Sequence, residues 1–341
     1  MLRRTFLATA AAPLAAAQSR NSSVRFGIDL FSVRSSGYTA FEYLDLAASH
    51  KAKVVHFSEI RFIGSLDPAH LRKVRSHAER LGIEIELGMR SVCPSSQSFD
   101  PAQGTAEQQL LRMLEAAQIV GSPIVRAFLG TMADRTGKLP IEAHIENTVK
   151  VLRAVGPQFR DANKKVAIEN HAGDLQAREL KMLIEEAGKD VVGACIDSGN
   201  PVWALEDPHL TLETLHPYVL TSHVRDSRLW RTPEGVAVRW VRMGEGNVNI
   251  GDWVRKYQQL CPGKALSMEI IVTGPRHYAV LDPKFWDGYR STPAWEFSRF
   301  LALAEKGTPS PYHPPPKEKL AETEREDLAA SVRWTQELLK A

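Results

Sequence analysis

Eight short apolar runs, each followed by an amphipathic stretch, set the rhythm of this chain. The runs lie at 24–33, 52–58, 83–87, 123–129, 165–169, 192–197, 219–223 and 265–271. They are rich in β-branched and aromatic residues and too short for buried helices, so they read as buried strands. Between them apolar residues recur at helical spacing, as with Phe41, Leu44 and Ala48 in 40–49. Further helices are predicted at 67–82, 105–120, 141–163, 176–187, 208–216, 249–260 and 293–306. Asp67-Pro68 pairs an N-cap with a proline in the first turn, and Gly82 suits a left-handed C-cap. Gly156-Pro157 is expected to interrupt the helix over 141–163. Eight alternations of strand and helix predict an α/β fold, a (β/α)8 TIM barrel. A doubly wound open sheet would more often carry a glycine-rich turn after its first strand, where Asp29-Leu30-Phe31-Ser32 stands here.

The ends of the chain break the rhythm. Residues 1–17 hold Arg3-Arg4, a short Ala/Leu-rich stretch and small residues at Ala15-Ala16-Ala17, the pattern of a twin-arginine-like export signal. That run is too short to span a bilayer. It predicts a periplasmic or secreted protein with no stable membrane insertion. Residues 307–316 are proline-rich and read as a linker. Residues 317–341 carry helical spacing at Leu328, Val332 and Leu339, a terminal helix expected to pack on the barrel or to join two copies.

Composition narrows the function. The 341 residues are 43% hydrophobic and 24% charged with a net charge of +3, and the cations are scattered among acids. Nothing resembles the basic stripe of a nucleic-acid binder. Three cysteines, without CxxC spacing, neither frame a disulfide scaffold nor suggest a thiolate metal site.

Four of the runs end on a metal-competent side chain: Glu169, Asp197, His223 and Glu269, spaced by 28, 26 and 46 residues. In a barrel such strand ends gather at one rim, where sites are built. Three carboxylates and one imidazole form a hard, oxygen-rich set that suits one Mn²⁺ or Mg²⁺ and leaves Co²⁺ and Zn²⁺ open.

The stretches that carry these residues are 168–171 (IENH), 197–200 (DSGN), 222–226 (SHVRD), 244–253 (GEGNVNIGDW) and 268–270 (MEI). Together they resemble the xylose-isomerase-like barrel superfamily, and within it the sugar phosphate isomerase/epimerase-like proteins, over 24–306. The resemblance implies a divalent metal held by Glu169, Asp197, His223 and Glu269, with Glu169 and Glu269 as the catalytic acid/base pair acting on a small carbohydrate. The implied chemistry is proton removal beside a carbonyl, which serves isomerisation, epimerisation or loss of a β-leaving group alike. A lyase or hydrolase acting on 3-keto-glycosides, and a carbohydrate-binding barrel without activity, stay open as alternatives. A DNA-repair endonuclease on the same barrel would need more histidines, including one where Asn200 stands.

His171, Arg225, Asp226, Glu245 and His56 are the candidate substrate contacts, with Glu59 beside the last. Trp230, Trp240, Trp286 and Trp295 are candidates for sugar-ring stacking. Arg228, Arg231, Arg239, Arg242 and Arg276 form a candidate anion cluster.

Overall fold

A computed structural model describes residues 24–340, so the export-signal reading of 1–17 lies outside the described residues. Eight parallel strands close into a barrel: Arg25–Asp29 (β1), Val54–Phe57 (β2), Glu84–Ser91 (β3), Ile124–Phe128 (β4), Lys165–Glu169 (β5), Val192–Asp197 (β6), Val219–Val224 (β7) and, after a hairpin, Ala265–Met268 (β10). The order around the barrel is β1-β10-β7-β6-β5-β4-β3-β2. Nearly every residue of these strands is buried, as expected when helices cover one face and packed side chains the other. The predicted TIM barrel is the observed fold.

Local chemistry sets the element ends. Asp67 accepts the backbone N–H of Ala69 and His70 ahead of helix Pro68–Leu81, which Gly82 ends at φ 65°. Thr39 and Glu42, and Thr105 and Gln108, each form a reciprocal capping box. The first strand is shorter than predicted. Asp29 accepts from Phe31 N and turns 30–33 into a 3₁₀ turn.

Helix Ile141–Asp161 is the clearest departure from expectation, because it runs unbroken through Gly156-Pro157. Its buried face continues on both sides, through Val149, Leu152, Val155 and Phe159. That packing outweighs the single backbone hydrogen bond and the ring clash the proline introduces.

The long interval between His223 and Glu269 holds an antiparallel hairpin, Asp226–Thr232 (β8) and Gly235–Val241 (β9), joined by Arg276–Tyr278 (β11). Helix Ala294–Glu305 packs against this hairpin. The C-terminal helix Leu320–Leu338 takes the eighth barrel position instead, against β10 and the turn after β1. Leu328 and Val332 are fully buried, and Glu324 accepts from Ser35 N at 2.8 Å. Gln336 donates to His50 O at 2.8 Å, at the end of helix Ala40–Ser49. The helix is therefore part of the barrel, not an appendage, and its apolar face is spent within the chain. No helix among the described residues is long and apolar enough to cross a membrane.

Candidate active site

The barrel brings the four strand-end residues together. Ligand atoms of Glu169, Asp197, His223 and Glu269 lie within 4.8 Å of one another. Glu169 and Asp197 are the last residues of β5 and β6, His223 is the penultimate residue of β7, and Glu269 follows β10. Asp197 and His223 are direct partners across the β6–β7 pair.

His223 is the hinge of the arrangement. Its Nε2 is 2.8 Å from His56 Nδ1 and 3.3 Å from Asp29 Oδ2. Its Nδ1 lies 3.0 Å from Glu169 Oε2 and 3.3 Å from Glu269 Oε2, aligned to hydrogen-bond with neither. A buried ring nitrogen without a partner, aimed between carboxylates, is what a metal ligand looks like when its other nitrogen is held from behind. The donor set therefore fits a divalent cation. Burial would lower the His223 ring, but Cys195, Glu169, Glu269 and Asp29 raise it well above its ordinary value.

Two arginines also serve the cluster. Arg126 Nε donates to Glu169 at 2.6 Å and its Nη1 to Met89 O at 3.2 Å. Arg225 Nη2 bridges Asp197 and Glu269. Burial would raise both glutamates. Arg126 and His223 instead hold Glu169 well below the carboxylate range, and Arg225 and His223 bring Glu269 down to about 2. Asp197, with burial uppermost, is pushed up to about 7 despite Arg225. The Arg225 guanidinium sits 4.3 Å from the Trp240 ring centre. Trp240 stacks on Trp203 at 3.8 Å and 5°, and Arg276 lies over Trp203 at 3.7 Å. Trp240 Nε1 donates to Gly199 O, which pins the stack to the loop after Asp197.

Above the cluster is a cavity of about 270 Å³. Phe31, Phe128, Trp203 and Trp240 give it aromatic walls, and Arg90, Arg126, Arg225 and His171 line it with nitrogen donors. Of the four clustered residues only Glu269 reaches the wall, while Glu169 lies beneath Arg126 and Asn200, whose Nδ2 donates to it at 3.0 Å. A larger hollow of about 600 Å³, around Arg135, Lys138 and Lys284, contains none of the four.

The remaining candidates divide. His171 and Arg225 line the cavity, His171 stacked on Phe128 at 3.8 Å with Nδ1 on Gly130 O. His56 is fully buried behind His223 and does not line the cavity over Glu269, so it orients a ring instead of contacting substrate there. Asp226 also turns away. Side chains alternate along the chain after Arg225, and Asp226 accepts the backbone N–H of Ser227, Gly244 and Gly246, tying the hairpin base to a loop. Glu245 is exposed and faces a separate hollow with Arg34 and Tyr312. Of the four candidate tryptophans only Trp240 lines the cavity, and Trp295 is exposed. The arginine cluster is dispersed: Arg228 binds Glu245 O, Arg231 pairs with Glu305, Arg239 reaches Pro311 O, and Arg242 pairs with Asp327. Asp29, Arg126 and Trp203 were not predicted. A lone arginine in the apolar run Ile124–Phe128, and an acid closing the first strand, were the signals available for two of them.

Residues 31–282 match the family described as xylose isomerase-like TIM barrel. The chain belongs to that family. A 3-oxo-isoapionate decarboxylase from Pectobacterium atrosepticum is 28% identical over 183 residues, 54% of this chain and 59% of that protein. The chain thus aligns with about six-tenths of that relative's length. Among solved structures, a D-psicose 3-epimerase determined in the presence of D-fructose superposes with a TM-score of 0.60 at 15% identity, covering 93% of this chain and all of that one. The 3-keto-D-glucoside 4-epimerase from Escherichia coli gives 0.56 at 11% identity, covering 83% and 99%. At such identities the structural likeness is one of fold.

Proposed function

We propose that this xylose isomerase-like barrel is a divalent-metal-dependent enzyme that removes a proton beside the carbonyl of a small sugar-like substrate, as isomerases and epimerases do. The observation that carries this reading is the convergence of Glu169, Asp197, His223 and Glu269 beneath a cavity whose wall includes Glu269. A divalent ion on those four side chains would supply the positive charge that makes a C–H beside a carbonyl acidic.

The chain's own groups do the rest. Glu269 is ionised at neutral pH, the form that accepts a proton, and it alone of the four reaches the cavity wall. His56 and Asp29 hold the His223 ring from behind. Arg126 and Asn200 cover Glu169, so proton transfer from one carboxylate to the other across the substrate requires those side chains to part. Return of the proton by Glu269 on the same face does not. The aromatic walls exclude water and suit the apolar face of a sugar ring.

A second reading, loss of carbon dioxide or of a β-leaving group from a 3-keto compound, is favoured by the nitrogen-rich wall of Arg90, Arg126, Arg225 and His171. The similarity to a 3-oxo-isoapionate decarboxylase supports it too. Loss of a proton and loss of carbon dioxide both leave an electron pair on the carbon beside the carbonyl, so they pass through the same kind of carbonyl-stabilised charge. The twin-arginine-like start leads us to place the activity outside the cytoplasm. Fractionation of cells carrying the full chain or its Arg3→Lys, Arg4→Lys variant tests that, with retention of the variant in the cytoplasm expected.

The deciding experiment is incubation of the chain in D₂O with Mn²⁺ and a panel of keto-hexoses, 3-keto-glycosides and 3-oxo sugar acids, followed by NMR. Deuterium should enter beside the carbonyl of at least one class, and Glu269→Gln should slow this about a hundredfold or more. Carbon dioxide release from the sugar acid would select the second reading. If no compound exchanges, or if Glu269→Gln exchanges as fast as the parent, the proposal fails.

A further inference from the structure

The cavity over Glu269 has a neighbour with which it shares two wall residues. Glu59, which follows β2, and Arg90, near the end of β3, line it on one side and line a second cavity of about 370 Å³ on the other. This side cavity lies between the loop after β2 and the first turns of helix Ala106–Val120. Its apolar surface comes from Ile60, Leu66, Met89 and Met113, and its mouth from polar side chains including Gln103.

The backbone accounts for the opening. Gly88 lets β2 and β3 close up, since a Cβ there would come within 2.8 Å of Ser58 O. Immediately beyond, the β3–β4 register shifts between Gly88 and Ser91. A bulge of this kind re-aims the side chains that follow it. Met89 is then buried along the side cavity, while Arg90 stands exposed between the two spaces. Arg90 is thus an exposed cation that lines the same cavity as Glu269. Ile60 is 42% exposed, an uncovered apolar side chain beside the site.

A free monosaccharide over Glu269 would leave this adjoining space unused, and it is the larger of the two, about 370 Å³ against about 270 Å³. We infer that the side cavity is a second subsite, and that the substrate is a glycoside: a sugar unit over Glu269 and a ring-sized apolar substituent against Leu66, Met89 and Met113. Thioether side chains adapt to irregular apolar shapes and make favourable contacts with aromatic rings. Arg90, at the junction, is placed to donate to the oxygen that joins the two parts. This inference rests on the reading that the central cavity takes a keto-sugar.

The test compares methyl and phenyl 3-keto-β-glucosides by calorimetric titration into the full-length chain with Mn²⁺, and repeats both on Leu66→Trp and Leu66→Ala. The subsite predicts that the phenyl compound binds about tenfold or more tightly than the methyl one. It predicts further that Leu66→Trp, which fills the space, brings that ratio to near one, whereas Leu66→Ala lowers it only partly. Using the ratio cancels general damage to the central cavity. Equal binding of the two compounds by the parent overturns the subsite and leaves the proposed function standing. A phenyl preference that survives in Leu66→Trp places the ring elsewhere and overturns it as well. If neither compound binds, and none of the keto-sugar panel exchanges deuterium, both the subsite and the proposed function fall.

Discussion

Removing the Leu328 side chain is the sharpest test of how the barrel closes. Leu328 is fully buried, on the face of helix Leu320–Leu338 that packs against β10 and the turn after β1. Truncating a buried leucine to alanine costs about 2–5 kcal/mol, the lost transfer energy plus the cavity left behind. The rigid surroundings here, strand on one side and capped turn on the other, favour the middle of that range, about 3 kcal/mol. For a domain of this size each kcal/mol lowers Tm by about 2–4 °C, so Leu328→Ala should melt about 6–12 °C below the parent. The assay is far-UV circular dichroism on heating, with exposed Arg333→Ala on the same helix as the control, expected to stay within about 0.5 kcal/mol of the parent. The drop should be the same at every protein concentration, because both sides of the contact belong to one chain. Were Leu328→Ala to melt with the Arg333→Ala control, or its loss to depend on concentration, the helix would be an appendage or an intersubunit element.

Three other outcomes follow from the site. Arg126→Ala leaves Glu169 buried without its guanidinium and should cost about 3–5 kcal/mol in denaturant titration, with Arg126→Lys recovering only part because a lysine cannot reproduce the two-pronged contact. Uptake of Mn²⁺ should acidify a weakly buffered solution. The His223 ring, raised well above its usual value, and Asp197, raised to about 7, hold protons that the ion must displace, so affinity climbs as pH rises between about 6 and 8. His223→Ala should abolish both the acidification and any thermal stabilisation by metal, and a parent that binds Mn²⁺ equally well at both ends of that range would contradict the assignment. All three cysteines are buried, and burial pushes Cys195 and Cys261 up to about 12, so an aromatic disulfide reagent near pH 8 should label neither until the chain is unfolded.

Sequence pattern carried the fold far because a parallel barrel writes itself plainly. Its strands are buried on both faces and read as unbroken apolar runs, so a charged residue at the end of one is conspicuous. Glu169, Asp197, His223 and Glu269 were legible for that reason, and Asp29 obeys the same rule on the first strand. Other features depend on packing that local pattern does not encode. Nothing near Pro157 says that Val149, Leu152, Val155 and Phe159 will share one buried face across it. Asp226 illustrates a parity error: adjacent to Arg225, it points the other way and serves the loop at Gly244–Gly246. The order of the last two helices was hidden by the hairpin. Residues 294–305 follow the eighth strand in sequence, but they back β8, which leaves the gap between β10 and β1 to the helix beyond the prolines.

The interior of the barrel explains why a cation belongs there. Asp29, Glu86, Glu169, Asp197 and Glu269 are five nearly or fully buried carboxyl groups, and the buried guanidiniums facing them are those of Arg126 and Arg225. Burial of unbalanced charge is costly, and a group that lacks a partner answers by holding a proton. Asp29 and Glu86, which pair with neither arginine, do so, and so does Asp197, which has to share Arg225 with Glu269; each is raised to about 7 with burial as the leading cause. Glu169 and Glu269, which have an arginine each, do not. The cluster therefore meets its acids with two arginines and the proton held by the raised His223 ring, which is the side where His223 Nδ1 lacks a hydrogen-bond partner. A dication there would replace that proton and partner the orphaned nitrogen, while leaving Glu269 ionised at the cavity wall. Proton abstraction needs an acid kept charged in a dry interior, and stability tolerates that charge only where a cation balances it, so both call for the same ion.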